Sequence, residues 1–288
     1  MKAHWVIENF IKEKSFRELQ LAVKALGYPL IELNEGFTKD MLRPLGVPTI
    51  YEDGHSELPK RCVIANGSIK MVKMIYDQLH GKNCYPIRYC DFPKYACSAY
   101  YSHFGPYLFN DQYAIMSLKE VVRQKYSVWG HYGKDAMIFI RPDSGEKTFQ
   151  AGLLDIIDLS TLYDSNKDCE HDLVLVSTPK NILWEGRFVV SKFKEIIASS
   201  TYRFQGKVCL IPSVPVEATK FCQEVLNKVD YYPDSVFCLD ICQDSDKNCW
   251  VLELTSFSSA GLYACNKEHI VQKVSEIAEK EYSSHLTI

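Results

Sequence analysis

Two alternating runs near the C-terminus, "SVFCLDICQ" and "CWVLELTSFSSAGLY", flank the polar turn "DSDKN" and constrain this chain more than any other part of it. Each has the two-residue period of a strand: Phe237, Leu239 and Ile241 share one face of the first, and Trp250, Leu252 and Leu254 one face of the second. Directly opposed residues of an antiparallel hairpin lie on the same side of a sheet, so both apolar faces point into one core. Asp240 and Glu253 are then left together on the other face, with Val236, Cys238 and Val251. Two carboxylates so placed repel, and β-structure returns nothing for them. A divalent cation resolves the conflict: Mg²⁺ takes oxygen ligands, keeps waters, and commonly links one or two carboxylates to a substrate's phosphates. The alternative is an exposed face with two solvated acids, which the apolar neighbours on that face disfavour.

A second pattern lies upstream. "IFIRPDSGEKTFQAG", residues 138–152, is an apolar strand-like run closed by Arg141 and a proline, then a polar turn with Gly145, Lys147 and Gly152. Glycine turns let backbone N–H groups approach an anion, and Arg and Lys close on it, which points to phosphate; an ordinary hairpin with solvated charges is the other reading. Between the two patterns, "DLVLVSTPKNILWEGRFVV" is an apolar strand, a short link, and an acid two residues ahead of an arginine. A strand end of this kind offers backbone groups to an adenine edge, and a carboxylate just beyond accepts from ribose hydroxyls. Glu185 and Arg187 fit the ribose and phosphate roles; a surface strand on which they pair with each other is the alternative.

The remaining sequence supplies the frame. Its 288 residues, 47% hydrophobic and 24% charged, have the balance of a soluble globular protein with room for one large domain or two modest ones. A net charge of −3 gives no general affinity for nucleic acid or anionic membrane. No apolar run approaches the roughly 18 residues that span a bilayer, and the charged N-terminus is unlike a signal peptide. The eleven cysteines form no C-x-x-C and no zinc-like spacing with histidine; Cys62, Cys209, Cys238 and Cys249 read as small buried hydrophobes of a reducing cytoplasm.

The first hundred residues alternate strand and helix: "HWVIEN", "EKSFRELQLAVKALG", "YPLIELNE", "RCVIANGS", "IKMVKMIYDQLHG", with "CYPIRYC" as a further strand. That rhythm predicts a small parallel sheet with covering helices. The strand–"NGS"–helix junction lacks G-x-G-x-x-G and Walker patterns, so a plain βα loop is favoured over an anion-binding turn. Asp91–Tyr107 is aromatic and irregular and reads as a connection that packs on both sides. "SLKEVVRQKY" reads as one helix. From Ala136 strands dominate, including "FQAGLLDI", interrupted by the helix "PVEATKFCQEVLNKV" and closed by the helix "KEHIVQKVSEIAEKEY".

In order along the chain, "FIRPDSGEKTFQAG", "EGRFVV", "ASSTYR", "CLDI" and "VLELTSFSSAGLY" resemble the motifs of ATP-grasp enzymes, in particular the R2K clade, whose members carry two arginines and a lysine around the nucleotide. "HWVIEN", "VIANGS" and "YLFN" resemble that clade's region preceding the ATP-grasp body. The resemblance implies an α+β ATP-grasp fold, with an N-terminal α/β domain over residues 1–106 and an ATP-grasp body over residues 107–288. It implies ATP and Mg²⁺, with Arg141 and Lys147 on the phosphates and the loop between them as a lid. Ser177, Pro179 and Lys180 fall in the adenine hinge, Glu185 on the ribose, Arg187 as the second arginine, and Asp240 and Glu253 as metal ligands. Where many ATP-grasp enzymes have Asn two residues after the last metal-binding Glu, this chain has Thr255, which leaves a second metal position in doubt. Ser200, Tyr202 and Arg203 face the substrate side by analogy.

The activity so implied is ATP-dependent joining of a carboxylate to an amine through an acylphosphate. A small-molecule kinase and a non-catalytic nucleotide-binding module are the alternatives, the latter favoured only by Thr255. The expected partner is a small-molecule, amino-acid or peptide substrate, with a homodimer allowed and neither nucleic acid nor membrane. Two physical expectations follow. Without nucleotide the lid, Ser144–Thr148, is poorly ordered because its cations repel. Removing one of the paired acids relieves repulsion and raises the stability of the ligand-free protein.

Overall fold

The computed structural model describes residues 2–9, 14–34, 36, 41, 61–79 and 91–285. Its N-terminal part is a three-stranded parallel sheet of β1 (His4–Asn9), β2 (Leu30–Asn34) and β3 (Val63–Asn66) in the order β2-β1-β3, with helices α1 (Lys14–Ala25) and α2 (Ile69–Leu79). The central strand is covered on both faces, which is why its apolar run is continuous. Trp5 and Ile7 pack with α1 and the C-terminal helix, while Val6 packs on the side of α2. The strand expected at "CYPIRYC" lies outside the described residues.

The aromatic segment that follows is more ordered than its sequence pattern indicates. A 3₁₀ turn at Phe92–Tyr95 leads into α3 (Cys97–Phe104) and a second 3₁₀ turn at Gly105–Tyr107. Phe92 packs with the N-terminal sheet, and Tyr95, Tyr100, Tyr101 and Phe104 pack into the core of the largest sheet. The residue before α3, Ala96, has no side chain to cap it. Asp143, in the bend after the distant strand Ile138–Pro142, supplies the cap, accepting from the Ser98 N–H at 2.6 Å and the Ser98 hydroxyl at 2.8 Å. Local sequence carries no trace of such a contact.

Two antiparallel sheets make up the rest. The four-stranded sheet comprises β4 (Tyr113–Ser117), β5 (Ile138–Pro142), β6 (Gly152–Leu154) and β7 (Leu173–Ser177), in the order β4-β7-β5-β6. It packs against α4 (Leu118–Arg123), α5 (Lys125–Tyr132) and α6 (Ile156–Ser165). The single helix expected over "SLKEVVRQKY" is two, divided at Gln124. The strand expected over "FQAGLLDI" stops at Leu154, because Asp155 caps α6, accepting from Ile157 N at 2.8 Å and Asp158 N at 2.7 Å.

The five-stranded sheet comprises β8 (Trp184–Ser191), β9 (Ile196–Phe204), β10 (Lys207–Ile211), β11 (Val236–Gln243) and β12 (Cys249–Ser256), in the order β10-β9-β8-β11-β12. One face packs on α3 and α7 (Val216–Lys228); part of the other packs on α8 (Lys267–His285) and the N-terminal sheet. The β11–β12 hairpin forms as expected and pairs Asp240 directly with Glu253. One detail differs. A bulge between Asp240 and Ile241 leaves Leu252 unpaired and sets Val251 opposite Ile241. Val251 therefore joins Phe237, Leu239, Ile241 and Leu254 in the core, and does not share the acids' face, while Trp250 leaves the core side.

Among the expected buried thiols, Cys62 and Cys238 are buried but Cys209 and Cys249 only partly so. No helix among the described residues is long and apolar enough to cross a membrane.

Candidate active site

The register of the five-stranded sheet lays out the site. Ser200 on β9 pairs with Arg187 on β8, Arg187 with Asp240 on β11, and Asp240 with Glu253 on β12. Directly opposed residues share a face, so these four side chains form one polar row across four strands. The row next to it on one side carries Arg203, Glu185 and Cys242; on the other side it carries Val189, Cys238 and Thr255. The second of these merges into the core beneath α8. The site is thus the uncovered end of a sheet face whose other end is filled.

Arg187 and Asp240 are 4% and 1% exposed. The guanidinium grips the carboxylate with two parallel bonds, Nε to Oδ1 at 2.8 Å and Nη2 to Oδ2 at 2.7 Å, and Nη1 donates to the Gly261 carbonyl at 2.7 Å. Glu253 is held from the other sheet. Arg141, at the end of β5, reaches its Oε2 at 3.1 Å, and Lys147, in the turn after β5, reaches its Oε1 at 3.3 Å. The Thr255 hydroxyl donates to the same Oε1 at 3.3 Å. Both arginines, the lysine and both acids singled out in the sequence therefore converge on one spot between the two sheets.

This arrangement corrects the expected repulsion between the lid cations, because Glu253 lies between Arg141 and Lys147 and binds both. The lid stem is also docked. A Cβ on Gly145 would lie 2.6 Å from the Tyr95 Cβ, so only glycine permits this approach. Glu146 pairs with Lys73 of α2 at 2.6 Å. The acids, likewise, are not simply opposed to each other, since each has a cation of its own. Burial is the largest influence on both. It carries the Asp240 carboxyl above its usual range despite the pull of Arg187, with the charge of Glu253 adding to the rise. For Glu253 the attraction of Lys147, Arg141 and Arg187 outweighs burial and holds the group down at about 2.

Glu185 is 7% exposed; Tyr202 donates to its Oε2 at 2.8 Å and Arg203 lies 3.5 Å from its Oε1. Burial raises the Glu185 carboxyl against both. Ser200, in contrast, is fully buried, with the Cys265 thiol 3.4 Å from its hydroxyl, so it lies beneath the site. The hinge residues stand apart from the polar row. Ser177 is buried and donates to Asn110 Oδ1 at 3.2 Å, Pro179 is half-buried, and the Lys180 ammonium binds the Phe109 carbonyl and Asp111. Gly261 and Tyr263, which border the row, lie in the stretch "VLELTSFSSAGLY" and Lys267 at the start of "KEHIVQKVSEIAEKEY", but nothing in residue type or spacing there marks them for the site. The "NGS" turn does bind an anion, but an internal one: Ser68 N donates to the Glu8 carboxylate at 2.6 Å at the start of α2. Asn66 and Gly67 there bond the Phe257 and Ser258 carbonyls, joining the N-terminal sheet to the end of β12.

The side chains suit a nucleotide with a hard divalent cation. The available ligands are oxygens, two carboxylates and the Thr255 hydroxyl, as Mg²⁺ prefers. Three cations face two acids, and the buried Arg141 Nε has no partner, an orphaned charged donor of the kind a phosphate oxygen satisfies. Among the described residues no group of three or more His, Cys, Asp or Glu side chains is placed to hold a metal ion. Lys147→Ala is expected to raise KM for ATP and lower kcat while changing stability by under about 1 kcal/mol, because the Lys147 side chain is 45% exposed and exposed ion pairs contribute little. Steady-state kinetics beside denaturant unfolding checks it; an unchanged ATP dependence would leave Lys147 as a solvated surface charge.

Residues 118–273, more than half of the chain, match the family model described as ATP-grasp domain, R2K clade family 2. A search of curated protein sequences finds no match. Among solved structures, D-alanyl-alanine synthetase A from Vibrio cholerae superposes with a TM-score of 0.59 at 11% identity, over 100% of this chain and 99% of that one. D-alanine–D-alanine ligase from Bacillus anthracis, complexed with ATP, gives 0.59 at 9% identity over 99% of each chain. D-cycloserine synthetase DcsG gives 0.57 at 10% identity, over 94% of this chain and 98% of that one. At these identities the likeness is one of fold.

Proposed function

The chain belongs to the ATP-grasp superfamily, R2K clade family 2, and from that premise we propose that it is an ATP-dependent carboxylate–amine ligase working through an acylphosphate. One observation carries the reading: Arg141 and Lys147 from one sheet, and Arg187, Asp240 and Glu253 from the other, meet at a single point between the sheets. In the proposed reaction a substrate carboxylate oxygen attacks the γ-phosphorus of ATP, the bond to the β-phosphate oxygen breaks, and ADP leaves. An amine then attacks the acyl carbon, loses a proton, and expels phosphate, leaving an amide.

Arg141, Lys147 and Arg187 bind phosphate oxygens and oppose the charge that spreads over the transferring group. Asp240 and Glu253, with Thr255 beside them, would hold Mg²⁺, which when bound neutralises phosphate charge. Glu185 accepts from ribose hydroxyls, and Ser177–Lys180 form the adenine hinge. Tyr202 and Arg203 border the substrate side. No side chain needs to act as a nucleophile; the protein contributes position and charge.

The neighbours named as D-alanyl-alanine synthetase, D-cycloserine synthetase and the ligase PsnB complexed with a minimal precursor support a small-molecule, amino-acid or peptide substrate. Free buried thiols such as Cys97, Cys222, Cys238 and Cys265 suit the cytoplasm. The test is incubation with Mg²⁺ and ATP against mixtures of amino acids and short peptides, with mass spectrometry of products. A joined product formed with ADP and phosphate supports the ligase. A stable phosphorylated product would make it a kinase, and nucleotide binding without any product a non-catalytic module.

A further inference from the structure

Most left-handed non-glycine residues among those described sit in turns between strands, as Lys194, Gln205 and Lys247 do. Tyr263, at φ +42°, is of another kind: a bulky side chain in a backbone region that disfavours it, beside the polar row. Such residues persist only where surrounding structure over-determines them, and the surroundings here are specific. Lys267, 6% exposed, directs its ammonium at the carbonyls of Leu262 at 3.4 Å, Tyr263 at 2.6 Å and Cys265 at 2.9 Å. The Arg187 guanidinium holds the Gly261 carbonyl at 2.7 Å. Two buried cations thus fasten the loop on either side of the tyrosine.

The ring so held lies against Arg187, with the guanidinium carbon 4.9 Å from its centroid. The Tyr202 ring stacks beside it at 4.8 Å and 22°, with its own centroid 6.0 Å from the guanidinium carbon. We propose that Tyr263 is a positioning residue for Arg187: its face fixes the guanidinium plane, while Asp240 and Gly261 fix its rotation within that plane. A guanidinium has five N–H groups. Asp240 takes one from Nε and one from Nη2, and Gly261 one from Nη1, so one hydrogen on each Nη is left for a phosphate oxygen. Lys267 and the strained backbone keep the ring in place before the nucleotide arrives. This inference rests on the reading of Arg187 as a phosphate ligand.

Three variants test it: Tyr263→Ala, Tyr263→Gly and Tyr263→Phe. The measurements are thermal unfolding and calorimetric binding of a non-hydrolysable ATP analogue with Mg²⁺. At an ordinary position alanine is more stable than glycine, but where φ is positive the order reverses. Tyr263→Gly is therefore expected to melt above Tyr263→Ala, although both lack the ring. Both are expected to bind the analogue about tenfold more weakly than wild type, the effect of losing a desolvated cation–π contact. Tyr263→Phe, which keeps the ring, restores binding to within about threefold on the same grounds. A glycine variant that melts below the alanine variant, or fails to fold, overturns the strained, clamped loop. Ala and Gly variants that bind as wild type does overturn the positioning role alone. A wild-type protein that does not bind the analogue with Mg²⁺ overturns the nucleotide reading itself.

Discussion

Asp240→Asn is expected to abolish turnover and to weaken the protein before any ligand is added. Its carboxylate is the bidentate partner of Arg187, and both groups are buried. Replacing the charge by an amide leaves a guanidinium inside the protein with no counter-charge and with a donor NH₂ where it needs an acceptor. Breaking a buried pair from one side costs about 3–5 kcal/mol. The relief of acid–acid repulsion anticipated from the hairpin alone has the opposite sign, and it is smaller because Arg187 stands beside one acid and Arg141 and Lys147 beside the other. The measurement is denaturant unfolding of both proteins, repeated with Mg²⁺ and ATP. A ligand stabilises a protein only in proportion to its binding, so wild type should gain much and the variant little. Equal gains would mean that Asp240 is not part of the metal site. An unweakened ligand-free variant would mean that the Arg187–Asp240 pair does not form.

That reversal of sign marks the boundary of what was legible in the chain. Alternation in two adjacent strands was enough to place Asp240 opposite Glu253, because a hairpin is a local object. It could not show the other neighbour of Asp240. β8 lies beside β11 only through a sheet order in which α7 and two strands intervene along the chain, so the pairing of Arg187 with Asp240 spans 53 residues. Nor could it show that Arg141 and Lys147 reach Glu253, since that contact depends on how two sheets face each other. The bulge at Leu252 was equally hidden, because strict alternation continues through it. The same division separates α6 from α3. Asp155 is a local cap followed by helix, a signal present in the sequence, whereas α3 is capped by Asp143, just past β5 and 45 residues away. Which charged residues come together was readable from their types and order; how they neutralise one another in the ligand-free protein depends on tertiary pairing.

The largest consequence of that pairing concerns Glu253. Arg141 and Lys147 are both bound to it, at 3.1 and 3.3 Å, so a phosphate that comes without a metal competes with a carboxylate for them. The competitor is present at every ordinary pH, because the surrounding cations hold its pKa at about 2. Were Glu253 engaged by a divalent cation, Arg141 and Lys147 would be left to the phosphates. Glu253→Gln removes the competitor and the metal ligand together, and the two effects part when metal is withheld. With excess chelator, the variant is expected to bind ATP about tenfold more tightly than wild type, the scale of one charge-assisted contact released from an internal partner. With Mg²⁺ the order inverts: wild type gains strongly, the variant gains little, and its turnover is lost. Calorimetric titration of ATP into both proteins, in chelator and in Mg²⁺, reads all four affinities. Metal-free binding that is unchanged or weaker in Glu253→Gln would show that Arg141 and Lys147 serve the carboxylate alone and do not take phosphate from it.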